Sequence, residues 1–240
     1  MKNKNKKKVF ILGASSDIGL SIIKIYKKNN YQILAHYNKG NKKFFKFTKT
    51  NKINIIKFNF STTHKKIESF TKKKIFKDFN VLINASAMIK ELSFTDTKIK
   101  NIDEILKVNF YPNLLLTQTM GMQMNKKKWG RIVNLGSIGV KFGGGSKNFP
   151  YSLSKHLLEF FPNEFKGWVK NNVLINTVRV GATDTKLHLK LPSKNMNLRK
   201  SLIPMKRLAT TDEIAEFVFF LGSTHNTYIT NQVLSISGGE

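Results

Sequence analysis

Short apolar runs alternate along the chain with longer amphipathic or polar segments. Such runs are typical of strands buried on both faces of a parallel sheet, and the segments between them are typical of the helices that cover it. The pattern predicts strands at residues 9–13, 32–37, 54–60, 81–86, 131–137, 174–180 and 232–238. It predicts helices at residues 17–29, 64–77, 101–125, 151–170 and 211–222. The expected fold class is therefore α/β, with a seven-stranded parallel sheet flanked by helices.

A chain of 240 residues with 40% hydrophobic content can bury one substantial core. No repeat and no linker rich in Pro, Gly or Ser interrupts it, so we expect a single domain over residues 1–240. Residues 1–8 are predicted to be a basic tail, because the apolar run behind them is too short for a secretory signal. No apolar stretch reaches the roughly 18 residues of a membrane span, and the expected location is the cytoplasm.

The formal net charge of +28 initially suggests a nucleic-acid partner. However, only four of the 42 basic residues are Arg, the residue that forks onto phosphate and reads guanine edges, and the lysines are scattered along the whole chain. We therefore expect weak adhesion to polyanions but no specific nucleic-acid partner. The chain has no Cys, which excludes disulfides and thiolate metal sites, and no metal site is predicted.

The first candidate site is the sequence GASSDIG, Gly13–Gly19, which follows the first predicted strand and begins a predicted helix. Glycine allows the backbone to approach a pyrophosphate closely, and the helix N-terminus offers unpaired N–H groups to the anion. The sequence lacks the middle glycine of the G-x-G-x-x-G pattern. A tight structural turn explains it nearly as well as a phosphate site does.

The second candidate site is YSLSK, Tyr151 to Lys155. Residues four apart on a helix lie on one face, so the phenol and the ammonium group can point into one cleft. A nearby cation favours phenolate, which should lower the pKa of Tyr151 and make it a capable proton donor to a carbonyl that receives hydride. Because the chain is rich in lysine, composition alone yields about one Tyr-x-x-x-Lys pair, and the spacing alone does not establish this chemistry.

Further motifs follow in a fixed order. NASA comes after the fourth predicted strand at 84–87, Asn109 lies within VNFYPNLLLTQ, Ser137 ends GRIVNLGS, and RVGATDT spans 179–185. Together with the two candidate sites and the C-terminal PMKRLATTDEIAEFVFFLGS, this order resembles the short-chain dehydrogenase/reductase (SDR) family. The resemblance is strongest to its 3-oxoacyl-[acyl-carrier-protein] reductase-like branch, and it covers residues 9–239.

The resemblance implies a Rossmann-like, doubly wound fold and an NAD(P)-dependent oxidoreductase that reduces a ketone to a secondary alcohol by hydride transfer. The implied catalytic residues are Asn109, Ser137, Tyr151 and Lys155. In the family, their counterparts respectively order a proton-relaying water, hold the carbonyl oxygen, donate the proton and bind the nicotinamide ribose. The implied cofactor-binding residues are Gly13, Ser15, Ser16, Asp17, Ile18, Gly19, Asn38, Lys39, Asn59, Asn84, Ala85, Ser86, Tyr151, Lys155, Gly181, Thr183 and Thr185.

Each catalytic candidate also has a purely structural interpretation. Ser137 can cap the end of a strand, Asn109 can satisfy backbone groups within its own helix, and Lys155 can be one more surface lysine. Taken together in the family order, these residues favour catalysis. A reductase fold that binds a dinucleotide without catalysis is the alternative.

Several residues depart from the family pattern. Asp17 replaces a glycine beside the pyrophosphate, and we expect its carboxylate to turn away or to cap the helix. Ala85 replaces the second Asn of the family segment, and Asn59 stands where an Asp often contacts adenine. Pro162 is expected to kink the helix predicted at 151–170. The same helix carries the bulky residues His156 and Leu157 where the family packs a neighbouring subunit, so the predicted oligomer, a homodimer or a homotetramer, is left open between the two.

The segment after the second predicted strand determines the expected cofactor. It contains Asn38, Lys39, Lys42 and Lys43 and no acid, whereas an acid would accept hydrogen bonds from the ribose 2′-OH of NAD. The predicted cofactor is therefore NADPH.

Two substrate classes are left open. The segment after Thr185 carries cations that favour an anionic substrate, namely Lys186, His188, Lys190, Lys194, Arg199 and Lys200. An acyl-carrier-protein thioester fits this charge, with Lys126–Lys128 near the place where related ketoreductases hold the carrier. A keto-sugar or nucleotide-linked sugar fits it equally well.

Overall fold

The computed structural model describes residues 6–187 and 195–240. Its strands are β1 (Lys8–Leu12), β2 (Gln32–Tyr37), β3 (Asn54–Lys57), β4 (Val81–Asn84), β5 (Gly130–Leu135), β6 (Val173–Val180) and β7 (Gln232–Ile236). They form one parallel sheet in the order β3-β2-β1-β4-β5-β6-β7. The order reverses between β1 and β4, and such a reversal leaves a crevice at the carboxyl ends of these two strands. The predicted fold class is confirmed.

The helices of the described chain are α1 (Asp17–Lys28), α2 (Lys42–Thr50), α3 (His64–Thr71), α4 (Ile99–Asn109), α5 (Tyr111–Lys126), α6 (Phe149–His156), α7 (Glu164–Val169), α8 (Met196–Leu202) and α9 (Thr211–Leu221). Short 3₁₀ turns lie at Lys74–Asp78, Ile138–Phe142 and Leu157–Glu159. No helix within residues 6–187 and 195–240 is long and apolar enough to cross a membrane.

The two faces of the sheet carry two apolar cores. Val9 and Ile11 of β1 pack on one face with α1 and α9, whereas Phe10 and Leu12 pack on the other face with α3 and α5. All four side chains are fully buried. Successive side chains of a strand point to opposite faces, so a strand covered on both sides must be apolar at every position. This explains the continuous apolar runs in the sequence.

Helix α2 is the clearest element that the sequence pattern does not predict. The side chain of Asn41 begins the helix by accepting the N–H of Phe44 at 2.9 Å. Phe44 and Thr48 then form a narrow buried stripe in a segment that is otherwise rich in lysine. This helix has only nine residues and its apolar face consists of a few side chains among lysines, so its existence depends on the buried stripe and the Asn41 cap.

The predicted helix at 101–125 is two helices, α4 and α5, which meet at Phe110. Phe110 has a φ of −122°, and Pro112 lies in the first turn of α5. Proline suits the first turn of a helix, where its missing N–H would be unpaired in any case.

The predicted helix at 151–170 is also broken, and the expectation of a kink at Pro162 is wrong. Helix α6 ends at His156, Phe160 is extended with a ψ of 123°, and α7 begins only at Glu164. Phe161, the residue before Pro162, also lies outside any helix. A proline disfavours helical backbone in the residue before it and removes its own N–H, so a complete break between α6 and α7 satisfies both constraints.

Five of the predicted strands continue one to three residues past the observed carboxyl ends of β1, β3, β4, β5 and β7. Apart from Asn59, the excess residues are apolar, small or glycine, so composition alone does not separate them from the strands. Among them are Gly13, Ala85, Ser86 and Ser137, which leave the sheet and form the candidate site. At the other end of β1, Lys8 belongs to the strand rather than to the predicted tail.

Candidate active site

The turn from β1 into α1 has very close backbone packing. Gly13 has a φ of +76°, and a Cβ on it would lie 2.6 Å from the backbone nitrogen of Ser86. A Cβ on Gly19 would lie 2.5 Å from the carbonyl oxygen of Gly13. Neither position accepts a larger residue. The first turn of α1 therefore lies directly against the carboxyl ends of β1 and β4.

Ser16, rather than Asp17, caps α1. The Ser16 hydroxyl accepts the N–H of Gly19 at 3.0 Å and donates to the carbonyl oxygen of Gly13 at 2.9 Å. Asp17 lies in the first turn, and its carboxylate accepts the backbone N–H of Lys186 at 2.8 Å. Asp17 thus joins the glycine turn to the segment that follows β6.

The turn after β2 lies beside the glycine turn. The amide of Asn41 donates to the carbonyl oxygen of Ser15 at 3.2 Å, and the amide of Asn38 donates to the side chain of Asn59 at 3.2 Å. Lys39 is exposed between these two contacts. Ile18, by contrast, packs against the apolar core. The predicted adenosine-side residues, Asn38, Lys39 and Asn59, are therefore brought together at one end of the crevice.

The turn after β4 is fixed by buried polar contacts. The amide of Asn84 donates to the side chain of Asn134 at 2.7 Å, and the Ser86 hydroxyl donates to the carbonyl oxygen of Val108 at 2.9 Å. Ala85 is buried against the glycine turn. These contacts hold the backbone of this turn beside Gly13.

Ser137 follows β5 and contacts Tyr151 of α6. Its oxygen accepts the N–H of Gly139 at 3.2 Å, and its hydroxyl lies close enough to the phenol to lower the pKa of Tyr151. Ser137 thus caps the start of the 3₁₀ turn that follows β5, rather than the end of the strand, and it also faces Tyr151. A hydroxyl pair of this kind can hold one carbonyl oxygen between two donors.

Lys155 is buried and points to the same side of α6 as Tyr151. Its Nζ lies 5.9 Å from the centroid of the Tyr151 ring and donates to the carbonyl oxygens of Leu135 at 2.8 Å and Ser86 at 3.4 Å. Along the sequence, Lys155 is 20 residues from Leu135 and 69 residues from Ser86. Its ammonium group therefore joins α6 to the carboxyl ends of β5 and β4. The interpretation of Lys155 as a surface lysine is therefore wrong.

The expected lowering of the Tyr151 pKa is not found. Burial raises the pKa of the Tyr151 phenol, and the hydrogen bond with Ser137 offsets only part of that rise. Burial also lowers the pKa of Lys155 to about 8. Desolvation disfavours the charged form of both groups and is the largest cause of each pKa shift. The phenol consequently stays protonated at neutral pH, as a proton donor must.

Asn109 is fully buried at the end of α4. Its amide donates to the carbonyl oxygen of Met88 at 2.9 Å and to the Ser154 hydroxyl at 2.9 Å, and its Oδ1 accepts the N–H of Met88 at 2.7 Å. Its backbone carbonyl accepts the amide of Asn113 at 2.8 Å. The side chain therefore links the turn after β4 to α6, rather than satisfying groups within its own helix.

The segment after β6 is anchored on β7. The N–H of Gly181 donates to the carbonyl oxygen of Ile236 at 2.9 Å, and a Cβ on Gly181 would lie 2.6 Å from Ser237. Thr183 is buried and donates to the carbonyl oxygen of Gly181 at 3.0 Å. Thr185 directly precedes Lys186, whose backbone N–H donates to the carboxylate of Asp17. This segment is therefore held between β7 and the first turn of α1.

The structure describes three of the six predicted cations after Thr185, namely Lys186, Arg199 and Lys200. His188, Lys190 and Lys194 lie outside the described residues. Arg199 of α8 forms an ion pair with Glu240, so its charge is committed to a structural contact. Lys186 and Lys200 are exposed.

In the folded chain, Lys126–Lys128 lie at the opposite edge of the sheet from the candidate site. They end α5 and precede β5, so they are at the amino edge of the sheet, whereas Ser137 follows the carboxyl end of β5. Lys127 also forms an ion pair with Asp78 at 2.6 Å. A carrier bound at these lysines would sit at the opposite edge of the sheet from Tyr151 of the same chain.

Three residues of the site were not predicted from the sequence. The Ser154 hydroxyl accepts the amide of Asn109 and donates to the carbonyl oxygen of Tyr151 at 2.7 Å. The amide of Asn41 donates to the carbonyl oxygen of Ser15, and the His36 ring accepts the N–H of Gly13 at 3.2 Å. Each makes its contact with a distant segment or a neighbouring turn, and no sequence spacing signals such a contact. Of the three, only Ser154 lies within a motif singled out in the sequence, YSLSK.

The residues present fit a dinucleotide cofactor. The glycine turn excludes side chains from the place where a pyrophosphate would approach, and the N-terminus of α1 faces that turn. Exposed lysine and no acid follow β2. Among the described residues, no group of His, Cys, Asp or Glu is arranged to hold a metal ion.

Comparison with known families identifies the chain. A family model described as enoyl-(acyl carrier protein) reductase, of the SDR type, matches residues 13–240. The chain belongs to the short-chain dehydrogenase/reductase family. It is thus an NAD(P)-dependent short-chain oxidoreductase, as the order of motifs implied.

Individual relatives support this SDR assignment. The chain is 29% identical over 245 residues to a 3-oxoacyl-[acyl-carrier-protein] reductase of Buchnera aphidicola subsp. Acyrthosiphon pisum, covering 99% of this chain and 98% of that protein. It is 33% identical over 161 residues to the Aquifex aeolicus enzyme of the same name, covering 67% of this chain and 64% of that protein. The solved structure of ElxO with NADP bound is similar at a TM-score of 0.83 and 25% identity, covering 98% of each chain.

Proposed function

We propose that this SDR protein reduces a ketone to a secondary alcohol with NADPH, using Tyr151 as the proton donor. The observation that carries the proposal is the position of Lys155, whose ammonium group lies beside Tyr151 and hydrogen bonds to Ser86. Ser86 in turn packs against Gly13 of the dinucleotide-binding turn. The proton-donating pair is therefore built onto the crevice that fits the cofactor.

Four residues of the chain are proposed to have separate roles at the substrate carbonyl. NADPH, held at the glycine turn, would supply the hydride that the carbonyl carbon accepts. The Tyr151 hydroxyl gives its proton to the carbonyl oxygen, and Ser137 holds that oxygen with a second hydrogen bond where negative charge develops. The cation of Lys155 is proposed to stabilise the phenolate left behind and to bind the ribose of the cofactor. Asn109 is proposed to order the water that returns a proton to this group.

NADPH is proposed as the preferred cofactor because exposed lysine follows β2. We expect the kcat/KM for NADPH to exceed that for NADH, and Lys39→Glu to lower the NADPH value about tenfold while sparing NADH, since a charge-assisted contact to the 2′-phosphate would be lost. Lys49→Glu, which makes the same charge change at the far end of α2, is the control. Equal use of NADH by the unaltered protein would refute the preference.

The proposed substrate is a 3-oxoacyl thioester. Its support is the full-length match to the Buchnera aphidicola reductase, together with exposed apolar residues on α8 and on the 3₁₀ turn after Ser137, namely Leu198, Leu202 and Phe142. An acyl chain can pack against such side chains, whereas a sugar would leave them in water.

Steady-state rates on a ketone panel test the substrate class. We expect acetoacetyl thioesters to be reduced with a higher kcat/KM than keto-sugars or nucleotide-linked keto-sugars. Higher rates on the sugars would favour the second substrate class, and NADPH binding without turnover on any ketone would indicate a noncatalytic protein. A carrier-linked thioester whose rate is unchanged in a variant with Lys126–Lys128 neutralised would show that the carrier does not dock there.

A further inference from the structure

We propose that His36 is a positioning residue for the dinucleotide-binding turn and acts through the backbone N–H of Gly13. The proposal rests on the proposed function, because it assigns His36 a part in binding the cofactor. His36 lies in β2, and none of the motifs that identify the family includes it. Its side chain is only 3% exposed, so it cannot touch a bound cofactor over any large area.

The imidazole of His36 links β2 to the glycine turn and to the segment that follows β3. Its Nδ1 accepts the N–H of Gly13 at 3.2 Å, and its Nε2 lies 3.0 Å from the carbonyl oxygen of Phe58. The backbone carbonyl of His36 also accepts the N–H of Ala14 at 2.9 Å. Two consecutive backbone groups of the glycine turn are therefore held by one residue.

The partners determine the protonation state of the ring. A backbone N–H can only donate and a carbonyl oxygen can only accept, so Nδ1 must be bare and Nε2 must carry the hydrogen. Burial lowers the pKa of His36 to about 4, which keeps the ring neutral near pH 7. The ring packs against Phe60, with centroids 5.0 Å apart. A neutral ring in one tautomer and one orientation thus presents a fixed acceptor to Gly13.

Ser16 and Asn41 hold the carbonyl oxygens of Gly13 and Ser15, whereas the N–H of Gly13 is held by the His36 ring. Gly13 has a left-handed φ, and glycine has the largest choice of backbone conformations of any residue. On one side Gly13 packs against Ser86, and on the other it binds His36. The Phe58 contact ties the same ring to the segment that leads into Asn59, at the adenosine end of the crevice. His36 therefore fixes the pyrophosphate turn relative to the adenosine end.

Three substitutions separate the two hydrogen bonds of the ring. The amide of Asn reaches about as far as Nδ1, and the amide of Gln reaches about as far as Nε2. We expect His36→Asn to keep the acceptor for Gly13 and to bind NADPH almost normally. His36→Gln and His36→Leu leave the Gly13 N–H unpaired, and we expect each to raise the NADPH dissociation constant about tenfold with little change in kcat at saturating NADPH.

Fluorescence titration of NADPH, well below the melting temperature of each variant, measures the effect. The control is Phe76→Leu, which removes buried volume from the same face of the sheet, where Phe76 packs against Phe10 and Phe70. We expect it to lower the melting temperature and to leave NADPH binding unchanged. Normal binding by His36→Gln and His36→Leu, or binding by His36→Asn as weak as theirs, would overturn the proposal.

Amide hydrogen exchange at Gly13 in the ligand-free protein keeps this test separate from the proposed function. Protection is expected in the unaltered protein and in His36→Asn, and it is expected to be lost in His36→Gln and His36→Leu. An unaltered protein that binds no NADPH but shows this exchange pattern would refute the proposed function and leave the His36–Gly13 contact established. The same exchange rate in all four proteins would overturn the role of His36.

Discussion

Replacing Tyr151 by Phe is expected to lower kcat by about 10²–10⁴-fold while leaving the NADPH dissociation constant nearly unchanged. The substitution removes the only atom that is proposed to give the proton and keeps the ring that packs in the site. Because burial raises the pKa of the phenol, the hydroxyl is present in its protonated form across the neutral range, and its loss affects nearly every molecule. Stopped-flow or steady-state rates with NADPH and the best ketone of the panel measure kcat, and fluorescence titration measures binding.

Tyr31→Phe is the matched control for this prediction. Tyr31 precedes β2 and packs against Tyr26 and Phe219 at the amino edge of the sheet, away from Ser137. The same loss of one phenolic oxygen there should leave kcat unaltered. A Tyr151→Phe protein that retains full activity would refute the role of Tyr151 as the proton donor.

Replacing Lys155 by Met is expected to abolish most activity and at the same time to stabilise the protein at pH 7. Burial lowers the pKa of Lys155 from its ordinary 10.5 to about 8. Keeping the ammonium group charged inside the protein at pH 7 therefore costs about 3 kcal/mol of folding free energy. Met has a similar shape and no charge, although the carbonyl oxygens of Leu135 and Ser86 lose their donor. We expect a net gain of about 1–2 kcal/mol.

The sign of the pH dependence distinguishes this account from a general packing effect. Between pH 8 and 10.5 the unfolded chain binds more protons at Lys155 than the folded chain does, so the stability of the unaltered protein rises with pH over this range. The advantage of Lys155→Met should shrink over the same range. Urea unfolding at pH 7 and near pH 10 measures both values. Lys166→Met, on the exposed side of α7, should change neither activity nor the pH dependence.

A Lys155→Met protein that is less stable at pH 7 than the unaltered protein would contradict the cost assigned to the buried ammonium group. Retained activity would contradict its part in the reaction. The expected combination, greater stability with lost activity, is what a buried charge kept for function should show, because folding alone would favour the apolar side chain.

Much of the fold follows from the sequence because strand order and layer structure depend on patterns that local segments carry by themselves. The apolar runs that become β1, β4, β5 and β6 are continuous because both faces of the sheet are covered. The helix that becomes α1 follows from an apolar stripe behind a serine cap. The ends of the elements are less determined. Whether Ala85 and Ser86 continue β4 or leave it depends on what packs beside them, and their own side chains suit either state.

The candidate site likewise has features that the sequence predicts and features that depend on the tertiary structure. The sequence by itself determined the residue types and their order, from the glycine turn through Asn109 and Ser137 to Tyr151 and Lys155, because motif spacing survives in the linear chain. Only the tertiary structure decided the charge states, since the pKa of a phenol or an ammonium group depends on how much water the fold removes from it. It also decided the contacts of Asn109 and His36, whose partners belong to other segments that meet only when the sheet is assembled.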